Sequence, residues 1–259
     1  MLDLQLEGKV AIVTGGSDGL GRATAHRLAA SGARVAICAR RADHLEAAAE
    51  AVRRATGGEV LAVPTDVADA RQIDAFVEAV SARFGGLDIL VNNAGTSAAN
   101  PFESLDDAAW IADIDLKLMS AVRMCRHAIP LMRARGGGSI LNVTIVGGKA
   151  PAARSVPTSV TRAAGINLTK ALANEFAPEG IRVNTICLGL VQSAQWERRA
   201  AAQGKSLAEL TEEMAKRIPL GRMGTAEEFA DLAAFLVSPL AGFITGTAIN
   251  FDGGASAVV

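Results

Sequence analysis

Thr14-Gly15-Gly16-Ser17-Asp18-Gly19-Leu20-Gly21 places four glycines in seven positions. The chemistry this suits is phosphate binding by the backbone. Glycine reaches φ > 0 and leaves no Cβ between the chain and a ligand. An apolar run, Val10-Ala11-Ile12-Val13, enters the turn, and a helix-like run, Arg22 to Ala30, leaves it. A helix N-terminus at that point offers unpaired N–H groups and the positive end of a dipole, which suits a pyrophosphate. The spacing is T-G-x-x-x-G-x-G. The fingerprint G-x-G-x-x-G would need glycine at Ser17 and Leu20, and a P-loop would need Lys and Ser/Thr where Arg22-Ala23 stand. The alternative is a plain tight turn. Its place after an apolar strand favours a bound dinucleotide, with Gly15, Ser17, Asp18, Gly19 and Leu20 as the contacting residues.

The elements that must position this turn alternate along the chain. Lys9–Thr14, Arg34–Ala39, Glu59–Val63, Asp88–Asn92, Ser139–Val143, Arg182–Cys187 and Ala248–Phe251 read as strands. Gly19–Ser31, Ala42–Thr56, Ala70–Phe84, Asp106–Arg135 and Pro157–Phe176 read as helices between them. Apolar strands separated by helices predict an α/β fold, a parallel sheet covered on both faces. No Pro/Gly/Ser linker and no repeat divides it, so 1–259 reads as a single domain. Ser193–Ile218 breaks the alternation, with Leu207, Leu210, Met214 and Ile218 at helical spacing and a capping box of Ser206 and Glu209. Its position after a strand end predicts a substrate lid over 192–218, the alternative being a surface excursion. Thr225 and Glu228 cap another helix, running to about Ser238.

Composition narrows the function classes. Half of the 259 residues are apolar and the net charge is −1, with no basic block for nucleic acid. No apolar run reaches the ~18 residues of a membrane span. Met1–Glu7 has neither a basic n-region nor an apolar core, so it does not read as a signal peptide. Cys38, Cys125 and Cys187 are odd in number and far apart, and read as reduced buried thiols of a cytoplasmic protein. His26, His44 and His127 lack ligand spacing, so no metal site is expected.

Thr14–Gly21, Asp66-Val67, Asn92-Asn93-Ala94-Gly95, Gly138–Val143, Arg182-Val183-Asn184 and Asp252-Gly253-Gly254, in that order and spacing, resemble the short-chain dehydrogenase/reductase family over essentially the whole chain. The resemblance implies a doubly wound Rossmann domain with a seven-stranded sheet, a nicotinamide dinucleotide and a homotetramer, with a homodimer as the alternative. It sets Asp66 at the adenine and Asn93 at the adenosine ribose, with Val67, Ala94 and Gly95 also among the cofactor-binding residues. Near the nicotinamide it implies Gly189, Val191 and Ser193. At the end of the second strand, Ala39 stands where NAD-preferring members carry Asp, and Arg40 follows with a planar donor fork. A carboxylate there would repel a 2′-phosphate, whereas a guanidinium pairs with it, so NADP is expected over NAD.

The family's Asn-Ser-Tyr-Lys tetrad is replaced throughout. Tyr serves as general acid or base, Lys lowers its pKa and bonds the nicotinamide ribose, Ser polarises the carbonyl, and Asn anchors a relay water. Those positions fall on Asp115, Ile145, Thr158 and Arg162, and the chain has no tyrosine at all. A Thr hydroxyl is a far weaker acid than a phenol, Arg does not relay a proton, and Ile145 has no donor. The exchange of Asn for Asp and Lys for Arg predicts a buried Asp115–Arg162 ion pair. Lys149, Arg154 and Arg162 border the same region and are expected to bind an anionic group of a small-molecule substrate, or to be surface cations. Thr144, Thr158 and Ser159 offer hydroxyls, and the proton is expected from a water, Thr158 or Lys149. Two functions follow: an oxidoreductase on a carbonyl or alcohol with non-standard catalytic residues (Thr158, Arg162, Asp115, Thr144), or a catalytically silent dinucleotide-binding protein acting as a sensor or partner subunit. Enoyl reduction or an elimination has no positive sign in these residues.

Overall fold

The apolar runs form seven parallel strands in the order β3-β2-β1-β4-β5-β6-β7. A computed structural model describes residues 3–193, 196 and 200–259, so Met1 and Leu2, and residues 194–195 and 197–199 of the expected insert, lie outside the described residues. The strands are β1 (Val10–Thr14), β2 (Arg34–Ala39), β3 (Val60–Pro64), β4 (Ile89–Asn92), β5 (Gly138–Ile145), β6 (Ile181–Leu188) and β7 (Ala248–Phe251). The helices are α1 (Gly19–Ala29), α2 (Ala42–Thr56), α3 (Ala70–Phe84), α4 (Asp107–Ile114), α5 (Ser120–Ala134), α6 (Thr158–Phe176), α7 (Leu207–Ala215) and α8 (Ala226–Val237). These bounds lie within a residue or two of the sequence reading, where frayed ends differ most.

Every residue of β1 is buried, because consecutive side chains serve opposite cores. Ala11 and Val13 join Leu28, Leu45 and Phe229 on one face, under α1, α2 and α8. Val10 and Ile12 join Phe76, Met124 and Ile129 on the other, under α3 and α5. β1 pairs with β2 on one side and β4 on the other, so the winding reverses at this strand. The crevice at a reversal, beyond the carboxyl ends of the strands, is where open sheets of this kind bind ligands.

The stretch expected as one helix over Asp106–Arg135 is interrupted by a π-turn, Asp115–Met119, between α4 and α5. The Ser120 N–H reaches back to the Asp115 carbonyl, one residue further than an α-helix allows. The extra residue shifts the register of every side chain after it.

Both sequence-read capping boxes form, Ser206 with Glu209 and Thr225 with Glu228. Within the insert, Leu210, Met214 and Ile218 make a small core with Ala200 and Met223. Leu207 stands apart, 43% exposed. Among the described residues no helix is long and apolar enough to cross a membrane.

Candidate active site

Strand β2 holds the glycine turn from behind. The Cys38 carbonyl accepts from the N–H of Gly15 at 2.9 Å and of Gly16 at 3.2 Å. Asn93 holds it from the β4 side: its Nδ2 donates to the carbonyls of Thr14 at 2.9 Å and Gly15 at 3.3 Å. Thr14 Oγ1 in turn accepts from the N–H groups of Asn93 and Ala94, each at 3.0 Å. Gly15 sits at φ 68° and Gly19 at φ 47°, backbone angles that favour glycine. A Cβ on Gly21 would lie 2.1 Å from the Gly15 carbonyl oxygen. The turn's own packing thus excludes side chains at Gly16 and Gly21, and the compact backbone turn that results fits a pyrophosphate. Asp18 caps α1, its Oδ1 accepting from the Gly19 N–H at 2.7 Å. Ser17 and Leu20 complete the turn, and Ser193 lies beside it, its Cβ 3.8 Å from where a Gly19 Cβ would stand.

The other expected cofactor residues line the same edge of the sheet. Arg40 and Arg41 are exposed after Ala39 and form no ion pair among the described residues. Beside Ala39, Asp66 Oδ1 accepts from the Ala68 N–H at 3.0 Å and Val67 is buried. Gly189 is bonded to Phe251 at 2.9 Å, and Val191 is buried and bridged to Gly224. Gly95 faces Arg162, whose Nη2 would lie 2.3 Å from a Cβ on that glycine.

The expected Asp115–Arg162 pair does not form. Asp115 Oδ1 is taken by Arg123 Nη2 at 3.0 Å, and Arg123 also donates to the Ala68 carbonyl at 2.8 Å. Arg162 Nη1 instead donates to the Val143 carbonyl at 2.8 Å. The reason is helical geometry: residues two apart do not share a face, so Asp115 looks away from the side presented by Asp113 and Lys117. Two further expectations are corrected. Thr144 is buried between β5 and β6, with Oγ1 3.2 Å from Cys187 Sγ, and does not enter the site. Lys149 is no mobile proton source, because its Nζ donates to the Ala248 carbonyl and Asn250 Oδ1, both at 2.6 Å. Arg154 is exposed, Ile145 is partly buried against Gly147, and Ser159 accepts from Ser155 Oγ at 3.1 Å.

What surrounds Thr158 is a group the sequence reading passed over. Lys117 Nζ donates to Thr158 Oγ1 at 2.8 Å and to Asp113 Oδ1. Thr161 Oγ1 donates to Asp113 Oδ2 at 2.7 Å, and the Ala98 N–H donates to Thr158 Oγ1 at 3.0 Å. The side chains of Lys117 and Asp113 are 0% and 2% exposed. Burial pulls the Lys117 pKa down, and the bond to Asp113 opposes it. Burial likewise lowers Arg162 to about 10, against the attraction of Asp113. Arg162 Nε is buried with no partner among the described residues, so this guanidinium retains a donor for a ligand. A signal was present: an acid and a base four apart within the apolar stretch Ile111–Met119 must pair to be buried.

A wide cleft lies elsewhere. About 1420 Å³ opens between α1, α7 and α8, lined by Arg22, His26, Ser193, Trp196, Leu207 and Met223 among others. Its lining includes neither Thr158 nor Arg162. Ser193, Trp196 and Leu207 of the insert thus share this cleft with Asp18 and Gly19 of the turn.

Residues 15–256 match the family described as Enoyl-(Acyl carrier protein) reductase. The cis-4-hydroxycyclohexanecarboxylate dehydrogenase of Sinomonas cyclohexanicum is 38% identical over 96% of this chain and 97% of its own length. L-sorbose reductase from Gluconobacter frateurii, solved with NADPH and L-sorbose, superposes with a TM-score of 0.95 at 36% identity, covering 100% of both chains. An NADPH-bound short-chain oxidoreductase of Pseudomonas aeruginosa PAO1, described as containing an atypical catalytic center, gives a TM-score of 0.92 at 41% identity over 97% of this chain and 98% of that one. Likeness of this extent, on a sheet wound in this order, means that the chain belongs to the short-chain dehydrogenase/reductase family.

Proposed function

We propose that the protein is an NADP(H)-dependent oxidoreductase acting on the carbonyl or alcohol of a small molecule, with an atypical proton-delivering site. The observation that carries this reading is the close-packed glycine turn at the N-terminus of α1, flanked by Arg40 and Arg41 where Ala39 leaves no carboxylate. Two neighbouring structures hold NADPH, and one of them shares the description of an atypical centre. When bound, the nicotinamide supplies or accepts the hydride. The backbone of Gly15, Ser17, Gly19 and Leu20 would hold the phosphates and Arg40 the 2′-phosphate. Asp66 and Val67 would border the adenine, Asn93 to Gly95 its ribose, Arg162 the nicotinamide ribose, and Gly189, Val191 and Ser193 the nicotinamide. Thr158 stands at the carbonyl.

The insert over 192–218 is read as the lid, Ser193 lying beside the turn. Arg154 is the exposed cation left to meet an anionic substrate group. Exposed Ile111, Val160 and Phe243 support a homotetramer or homodimer, which light scattering distinguishes. The three buried free cysteines suit a cytoplasmic protein.

Calorimetry with NADPH and NADH tests the cofactor, followed by NADPH consumption with ketoses, ketoacyl thioesters and cyclic ketones. Tighter NADPH binding and turnover of at least one class are expected. Tight binding without turnover of any would instead assign a silent dinucleotide-binding protein.

A further inference from the structure

We propose that Lys117 is the proton source for the Thr158 hydroxyl, delivering from the π-turn the proton that Arg162 cannot give. This rests on the oxidoreductase reading above. Thr158 Oγ1 already accepts two N–H groups, from Lys117 Nζ at 2.8 Å and from Ala98 at 3.0 Å. A hydroxyl has one proton to donate, and among the described residues no acceptor takes that of Thr158. A substrate carbonyl oxygen is the partner that completes its bonding.

Lys117 is placed as an acid by everything packed around it. Asp113 on α4 holds the ammonium in place, and Thr161 on α6 fixes the second oxygen of that carboxylate. Arg162, also on α6, is the other charge facing it and disfavours a second cation. Asp115 and Arg123 pair with each other on the opposite side of the turn. A buried ammonium beside a guanidinium gives up a proton more readily than a solvated one, whereas a guanidinium stays charged.

In reduction the carbonyl carbon would receive the hydride that a bound reduced nicotinamide gives up on being oxidised, and the π electron pair moves onto the carbonyl oxygen. That oxygen takes the Thr158 proton as the O–H bond of Thr158 breaks. Thr158 Oγ1 takes a proton from Lys117 Nζ, which is left as an amine paired with Asp113. After product leaves, a proton from solvent at the vacated carbonyl position returns to Lys117 through Thr158. Oxidation runs the same path in reverse. Lys117 therefore acts through Thr158, and Thr158 alone meets the substrate.

A buried ion pair holding α4 to α6 would predict the same contacts, so the tests separate charge from proton transfer. Lys117→Arg keeps the charge but cannot deprotonate. The proposal expects its kcat for carbonyl reduction to fall about 100-fold or more, with NADPH affinity within about threefold of wild type. The alkaline limb of the kcat–pH profile, set by Lys117, should vanish with it. Full activity with an unchanged profile would overturn the proposal. Should Lys117→Arg fail to fold, the double change Asp113→Asn with Lys117→Met removes both charges at similar volume, and the same loss of kcat is expected.

An independent readout needs neither nucleotide nor turnover. In 15N-lysine-labelled protein, the Lys117 Nζ titration is followed by NMR in wild type and in Thr158→Val. Loss of the Oγ1 acceptor should shift the titration to lower pH. An unmoved titration overturns the Lys117–Thr158 link even when wild type is active. A moved titration in an enzyme that reduces nothing would uphold the link and reject the oxidoreductase reading instead.

Discussion

The two halves of the site are built from different materials. At the glycine turn the binding surface is backbone, and the side chains around it, Thr14 and Asn93, act by bonding main-chain groups of the turn and of each other. At Thr158 the working parts are side chains from α4, the π-turn and α6. A backbone surface needs only the right φ/ψ at a few glycines and tolerates change elsewhere. A side-chain constellation depends on how helices pack, so it can be rebuilt from new residues while the fold persists. In this chain the first half keeps the family pattern. In the second, a buried Asp113–Lys117 pair lies beside Thr158 and Arg162.

The contrast can be broken most sharply at Asp113. Asp113→Ala leaves the buried Lys117 ammonium unpaired and should cost about 3–5 kcal/mol in urea unfolding. NADPH affinity of the folded fraction should stay within about threefold, because the cradle is untouched. The reciprocal change is Gly21→Val. Its Cβ would press on the Gly15 carbonyl and on Asn93 Nδ2, 2.1 and 2.6 Å away. Two displaced phosphate hydrogen bonds at about 1.5 kcal/mol each should weaken calorimetric NADPH binding on the order of 100-fold. Equal effects of both variants on binding would mean that the halves are not separable.

Arg40→Ala sharpens the cofactor half. Loss of one charge-assisted bond to a phosphate, about 1.5–3 kcal/mol, should lower NADPH affinity roughly 10- to 100-fold and leave NADH unchanged. The buried thiols give a pH signature. Cys38, directly behind the turn, and Cys125 are each pushed from 9.0 to about 12 by burial. Between those values the unfolded chain loses protons the folded chain keeps. Stability is therefore unaffected below pH 9 and falls above it, by about 1.4 kcal/mol per pH unit for each thiol. Cys→Ala variants should flatten that slope in unfolding curves. The smallest effect is expected from Thr225→Ala, which removes the cap of α8 and should cost about 1 kcal/mol without moving either binding or turnover.

Sequence periodicity alone was enough for the sheet, its helices and both capping boxes, because these follow from local propensity and the alternation of apolar residues. The glycine turn was legible for the same reason: its spacing is a statement about backbone angles. Ala39-Arg40 could be read directly, since that choice rests on two adjacent residues at a strand end. That no tyrosine can act in the site was equally plain from a chain without tyrosine.

Which cation replaces the missing chemistry could not be read in this way. Arg162 and Lys149 stood at or near the expected positions, yet one bonds the Val143 carbonyl and the other is tied to β7. Lys117 reaches Thr158 across 41 residues of chain, and Asp113 reaches Thr161 across 48. Those meetings depend on the π-turn, which shifts one register step inside a stretch whose pattern predicts a plain helix, and on the packing of α4 against α6. Sequence by itself determined the fold and the backbone cradle. Only the tertiary structure decided which side chains meet at Thr158, because that outcome is set by long-range packing and by the need of each buried charge for a partner.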